Sequence, residues 1–256
     1  MEGIKRIHIL GCPFDSISFA KTVEYVRIAV LRNRRLQVVP GSIDSVMKAR
    51  RDSRFCQELN EADLVVADGV PIVWAASLLC DPLKGRVSGT DLIWSCAEIS
   101  AETGGSIALI GAKPGVADRA ARKMMQRFPR ANLHAIATPF SLGQNENRLL
   151  VHQIKAVGAR IVLAALGAPR QERWISTYLE DCHASVGIGC GSAFDIISGD
   201  QPRAPRWMCD HGLEWMHRLF LDPRRLGRRY LIEDSPFLLL MAMELMHRRF
   251  LNGMSR

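Results

Sequence analysis

Short apolar runs alternate along the chain with longer stretches in which apolar residues recur at helical spacing. The runs are Ile7–Leu10, Leu36–Val39, Leu64–Ala67, Ser106–Ile110, Leu133–Ala137, Ile161–Ala165 and Val186–Ile188. Each is read as a strand. Helical patterns of about ten to fifteen residues lie between them, the rhythm of βαβ units with parallel strands. Ser18 is placed to cap a helix running to Leu31. Pro114 suits the first turn of a helix reaching Arg127, with Gly111 and Gly115 bracketing its entry. Beyond residue 200 the pattern changes to helices without strands, rich in arginine. The expected fold is therefore α/β: a Rossmann-like parallel-sheet core in two subdomains, with a helical C-terminal appendage. The expected division is 1–103, 104–200 and 201–256.

Composition narrows the class without naming an activity. Hydrophobic residues make up 48% and charged residues 23% of the 256, an ordinary globular balance. Lys and Arg number 34 against 26 Asp and Glu, a formal net charge of +8. Such an excess favours polyanions, whether nucleic acid, anionic lipid or phosphorylated substrates. The seven cysteines are scattered, with no CxxC pair and no Cys/His spacing suited to zinc. They are read as free thiols in a reducing cytoplasm. The N-terminal segment lacks the apolar core of a signal peptide, and no stretch reaches the roughly 18 apolar residues of a membrane span. The seven histidines show no ligand spacing either, so no metal site is expected.

Several segments are placed to carry chemistry. Asp68 follows the strand Leu64–Ala67, at the end of a parallel strand where α/β folds bind ligands. It suits a general base, although spacing alone favours a cap on the helix near Pro71. Gly111 and Lys113 stand in a strand–turn–helix segment whose free N–H groups suit phosphate. A plain turn is an equal reading there. Gly167, Arg170 and Gln171 repeat the form, and a cation in a helix's first turn hints at an anionic ligand. Gly187-Ile-Gly-Cys-Gly191 is GxGxG, not the dinucleotide GxGxxG, which argues against a nucleotide-binding oxidoreductase. Asp195 is as readily structural as functional. In the tail, Arg225, Arg228 and Arg229 share a helical face, with Trp207, Trp215, Leu219 and Phe220 interleaved. That mixture suits an anionic membrane surface, the plain alternative being a solvated basic face.

Taken together, these segments resemble the WecG/TagA/CpsF glycosyltransferases. The resemblance rests on Ala62-Asp-Leu-Val-Val-Ala-Asp-Gly-Val-Pro-Ile-Val-Trp74, Arg86-Val-Ser-Gly-Thr-Asp-Leu92, Gly111-Ala-Lys-Pro-Gly115, Leu166-Gly-Ala-Pro-Arg-Gln-Glu-Arg-Trp-Ile175, Gly212-Leu-Glu-Trp-Met-His-Arg-Leu219 and Pro223-Arg-Arg225, in family order. It implies an inverting, metal-independent enzyme without a cofactor. Such an enzyme moves a sugar from a UDP-sugar onto a polyprenyl-diphosphate-linked acceptor in exopolysaccharide, capsule or cell-wall polymer synthesis. It would sit peripherally on the inner face of the cell membrane, with no specific nucleic-acid partner. The resemblance implies Asp68 as base and Arg86 and Gln171 near the donor. It also places Arg218, Arg225 and Arg228 in a membrane-associating appendage that meets the acceptor diphosphate. The full expected donor set is Ser42, Arg86, Gly111, Lys113, Gly167, Arg170 and Gln171. One segment departs: where the family carries Thr-x-Asn, this chain has Pro40 and Ser42. Ser42 retains a hydroxyl, whereas Pro40 has neither hydroxyl nor N–H. The departure argues against carrying over N-acetylmannosamine, and the Asp-Gly-Val-Pro-Ile-Val-Trp variant favours a hexose or uronic-acid donor. A non-catalytic membrane adaptor is the other class in play. The oligomeric state is open, a homo-oligomer included.

Overall fold

The computed structural model describes residues 3–139 and 141–254, except for the side chains of Arg206, Asp210, Arg225 and 249–254. Six strands form one parallel sheet in the order β4-β3-β8-β7-β5-β6. They are β3 (Leu36–Gly41), β4 (Leu64–Ala67), β5 (Ser106–Gly111), β6 (Leu133–Ile136), β7 (Ala159–Ala165) and β8 (Val186–Gly189). The expected α/β core is thus present, and six of the seven expected strands lie in it. The seventh differs. Residues Arg6–Ile9 form β1, which pairs antiparallel with β2 (Cys12–Asp15), a strand the apolar pattern did not reveal. The two-residue loop between them, Leu10 and Gly11, takes positive φ at both positions (50° and 84°). That geometry matches the twist of a tight hairpin. The hairpin covers the open edge of the sheet. Asp15 is held by Arg6 (2.8 and 2.9 Å) and accepts the N–H of Val65 in edge strand β4 at 2.7 Å.

Strand alternation sends side chains to two faces. Val38, Leu64, Val66, Ile107, Leu109, Ile161, Leu163 and Ile188 meet one layer of helices. These are α1 (Phe19–Leu31), α5 (Gly89–Thr103), α6 (Val116–Arg127) and α9 (Ala193–Ser198). On the other face Val39, Val65 and Ala67 pack under α2 (Ile43–Arg51), α3 (Ser53–Glu61) and α4 (Val70–Leu78). Ala108, Ile110, Val162 and Ala164 pack there under α7 (Gln144–Ala156) and α8 (Arg170–Tyr178). Ser18 caps α1 as expected, accepting the Lys21 N–H at 3.3 Å.

The tail comprises α10 (Arg206–Asp210), α11 (Glu214–Leu221), α12 (Pro223–Arg228), a π-helical turn (Arg229–Glu233) and α13 (Pro236–Met254). It folds back onto the first half of the chain. Phe237 and Met241, one turn apart on α13, are buried in the cluster that also holds Phe14, Ile72 and Leu79. Arg248 reaches Asp81 at 3.5 Å, and Arg229 reaches Asp44 at 3.2 Å. Arg229, half-buried, therefore turns toward Asp44 and Asp234, while Arg228 stays exposed beside Glu233. The π-helical turn begins at Arg229.

Candidate functional site

The strands leave the sheet centre in opposite directions. β3 leads outward to β4, β5 leads outward to β6, and β7 and β8 fill the middle. Open α/β sheets bind ligands at the carboxyl ends of strands around such a reversal. Ser42, Asp68, Lys113, Gly167 and Gly191 all stand within two residues of a strand's carboxyl end.

Asp68 follows β4 directly, and its N–H is tied to the Gly41 carbonyl at 2.8 Å. It does not cap α4. The cap position is Gly69, at φ 139°, with no side-chain cap bond. The Asp68 carboxylate turns instead toward the start of α5, where a Cβ on Gly89 would lie 3.2 Å from its Oδ2 and 3.5 Å from Pro40 Cβ. Pro40 thus forms an apolar wall beside the carboxylate. Arg86, from the loop before α5, and Arg218 and Glu214, from α11, close the surroundings. Arg86 donates to Glu214 Oε2 at 2.7 Å and to the Cys209 carbonyl at 3.1 Å, and Arg218 pairs with the other oxygen of Glu214. Burial pushes the Asp68 carboxyl above the ordinary carboxylate range, against the opposing pull of Arg86 and Arg218. Burial would also raise Glu214, yet its two arginines hold it below the usual value.

The structure brings Asp68, Arg86 and Arg218 together from distant parts of the chain. Glu214 is the member that sequence reasoning missed. Its i,i+4 spacing to Arg218 was readable, but its pairing with Arg86 was not, because 128 residues separate them.

Gln171 sits deeper, 5% exposed. Its Oε1 accepts the N–H groups of Gly167 (3.2 Å) and Gly191 (3.1 Å), and its Nε2 donates to Glu172 at 2.8 Å. It therefore ties the turn after β7 to the turn after β8. Glu172 is 2% exposed with one oxygen unpaired, and burial pushes its carboxyl up to about 7. Gly187 and Gly189 serve packing, since a Cβ would meet Ile175 at 2.3 Å from Gly187 and Gln171 at 2.6 Å from Gly189, whereas Gly191 shapes the turn at φ 52°.

Lys113 is exposed in the turn after β5. Gly111, at φ 86°, leaves no room for a side chain, since a Cβ would sit 2.5 Å from the Ala165 carbonyl oxygen. Its N–H is taken by Thr138 at 3.0 Å, so Gly111 shapes the turn. Arg170 is exposed and donates to the Leu166 carbonyl at 2.8 Å. Ser42 stands at the cap of α2, its N–H donating to Ser45 at 3.2 Å. The Arg225 side chain lies outside the described residues. A cleft of about 250 Å³ opens beside Arg218, lined by Asp200, Gln201, Pro202, Leu221, Asp222 and Leu226. Among the described residues, no group of three or more His, Cys, Asp or Glu is arranged to hold a metal ion.

A carboxylate and two converging arginines thus stand together at the carboxyl edge of a parallel sheet. The model of the family described as "Glycosyl transferase WecG/TagA/CpsF family" matches residues 7–250, and the chain belongs to that family. It is similar to the N-acetylglucosaminyldiphosphoundecaprenol N-acetyl-beta-D-mannosaminyltransferase of Staphylococcus aureus strain NCTC 8325 / PS 47, at 28% identity over 87% of each chain. The enzyme of the same name from strain MRSA252 is 27% identical over the same shares.

Proposed function

We propose that this protein moves a sugar from a UDP-sugar onto a sugar carried by a polyprenyl diphosphate, with inversion at the anomeric carbon. The observation that carries the reading is Asp68. It stands at the carboxyl end of β4, its proton affinity is raised by burial, and two arginines face it. Asp68 takes the proton of the acceptor hydroxyl as that oxygen attacks the anomeric carbon. The bond to the nucleotide diphosphate breaks on the opposite side, and the leaving group departs with the electron pair. Arg86 and Arg218 meet the negative charge that develops on it. Lys113 and the turns at Gly167 and Arg170 flank the nucleotide. The acceptor class is supported by the names of the staphylococcal relatives, which act on a diphosphoundecaprenol-linked sugar. Pro40 favours a donor recognised without a hydroxyl at that position.

Working on a lipid-linked acceptor fits a peripheral position on the inner face of the membrane. No described helix is long and apolar enough to cross a membrane. Helix α13 instead carries two apolar faces. Phe237 and Met241 are buried, while Leu239 (66%), Met243 (53%) and Met246 (62%) are exposed. Trp74 and Leu78 of α4 and Leu231 and Ile232 of the π-helical turn are exposed as well. An uncovered apolar face beside basic helices suits the bilayer interface.

The test is UDP release across a panel of UDP-sugars, UDP-N-acetylmannosamine included, with a short-chain polyprenyl-diphosphate-linked N-acetylglucosamine as acceptor. Asp68→Asn should lower transfer by about 10²-fold or more with little change in Tm. Transfer by Asp68→Asn at the native rate would remove the base assignment.

A further inference from the structure

Glu214 occupies an unusual place. It projects from α11 between two guanidinium groups that both face Asp68. Arg86 takes one of its oxygens at 2.7 Å and Arg218 takes the other. Among the described residues, no ion pair joins Asp68 directly to either arginine, although both pull on its charge. A carboxylate beside two unengaged guanidinium groups would bind one of them, often bidentately. Glu214 occupies both arginines instead.

We propose that Glu214 is a positioning residue that holds Arg86 and Arg218 off Asp68, so that the Asp68 carboxylate forms no ion pair and stays proton-accepting. The assignment rests on the reading of Asp68 as the base. The four groups sum to zero formal charge, two carboxylates against two guanidinium ions. Removing the Glu214 charge leaves two cations facing one anion, so Asp68 becomes a weaker base and gains a direct partner. Among the described residues, Cys209 faces Arg86 and Tyr230 faces Arg218; Arg203 lies near Cys209, and Arg229 and Asp234 near Tyr230. Neither Cys209 nor Tyr230 supplies a second anion at neutral pH, since burial raises both the Cys209 thiol and the Tyr230 hydroxyl. Because α11 belongs to the tail while Asp68 and Arg86 belong to the first half, docking of the tail itself sets the strength of the base.

The experiment follows the Asp68 carboxyl by carbon NMR in the full chain, assigned by its loss in Asp68→Asn, alongside the pH dependence of kcat/KM. In Glu214→Gln the Asp68 midpoint should fall by about one pH unit or more, a tenfold change in proton affinity. The acid limb of kcat/KM should move down with it, and kcat should drop by about tenfold or more. Arg218→Met should raise the midpoint. The double variant should bring it back toward the native value, a rescue that a merely structural role would not produce. Should Glu214→Gln fail to fold, the double variant compared with Arg218→Met carries the test: loss of Glu214 should lower the Asp68 midpoint between the two. An Asp68 midpoint unmoved by these changes overturns the proposal. A midpoint that moves as expected in a protein that transfers no sugar from any donor leaves Glu214 in its role and removes the glycosyl-transfer reading instead.

Discussion

At the scale of single residues, buried carboxylates dominate. Glu172 has an ordinary value of 4.5 and is pushed up to about 7 by burial. The folded state therefore holds this proton more tightly than the unfolded chain does. Stability falls as pH rises from about 4.5 to about 7, and the full penalty, about 3 kcal/mol, applies above that. In Glu172→Gln that slope should vanish. Thermal melts at pH 5 and pH 8 check this: relative to the native protein, the variant should gain stability by about 2.5 kcal/mol between the two, part of the penalty being present already at pH 5. Equal changes in both proteins would show that Glu172 ionises without cost. Asp68 is raised in the same direction, which suits a group that must hold a proton during the reaction and release it afterwards. Arg86 and Arg218 also bear on metal dependence. On the proposed reading they face the leaving diphosphate, so transfer should continue in EDTA; complete inhibition reversed by Mg²⁺ or Mn²⁺ would contradict this.

At the scale of elements, α13 is the least expected piece. Its burial of Phe237 and Met241 makes it part of the core cluster under α4, not a loose extension. Phe237→Ala should lower the unfolding free energy by about 3 kcal/mol in urea titrations. A chain cut after Gln201 would expose the apolar surface around Ile72 and Leu79, and it would lose both Arg218 and Glu214. It should unfold at lower temperature and transfer no sugar. The hairpin β1–β2 is similar in kind. It closes the β4 edge through the Asp15 hydrogen bond to Val65, a pairing of residues 50 positions apart.

For the whole molecule, the exposed apolar row on α13 sets the prediction. Leu239→Glu with Met243→Glu leaves the buried face and the site untouched. It should weaken co-sedimentation with anionic liposomes by about tenfold or more. Transfer to a water-soluble short-chain acceptor should persist. Unchanged sedimentation would mean that this face meets something other than lipid. Adding salt should weaken the native protein's binding only in part, because apolar burial is insensitive to screening.

The chain's own pattern determined most of the architecture. Local runs of apolar residues mark strands wherever a strand is buried on both faces, and glycine and proline mark the turns after β5 and β7, because those signals depend only on neighbours in sequence. Asp68 was legible as a residue at a strand's end for the same reason. Only the tertiary structure decided what surrounds it. Spacing favoured Asp68 as a helix cap, whereas the fold gives the cap to Gly69 and turns Asp68 toward Gly89, Arg86 and α11. β2 was hidden because Cys12-Pro-Phe-Asp15 has no apolar alternation, and its partner is chosen by a tight turn and by the Asp15 bond across the sheet edge. Glu214 was hidden because its meaning lies in a guanidinium 128 residues away. Hydrophobic periodicity is a property of the local chain, while the charge around a buried carboxylate is a sum over whatever the fold brings within a few ångströms of it.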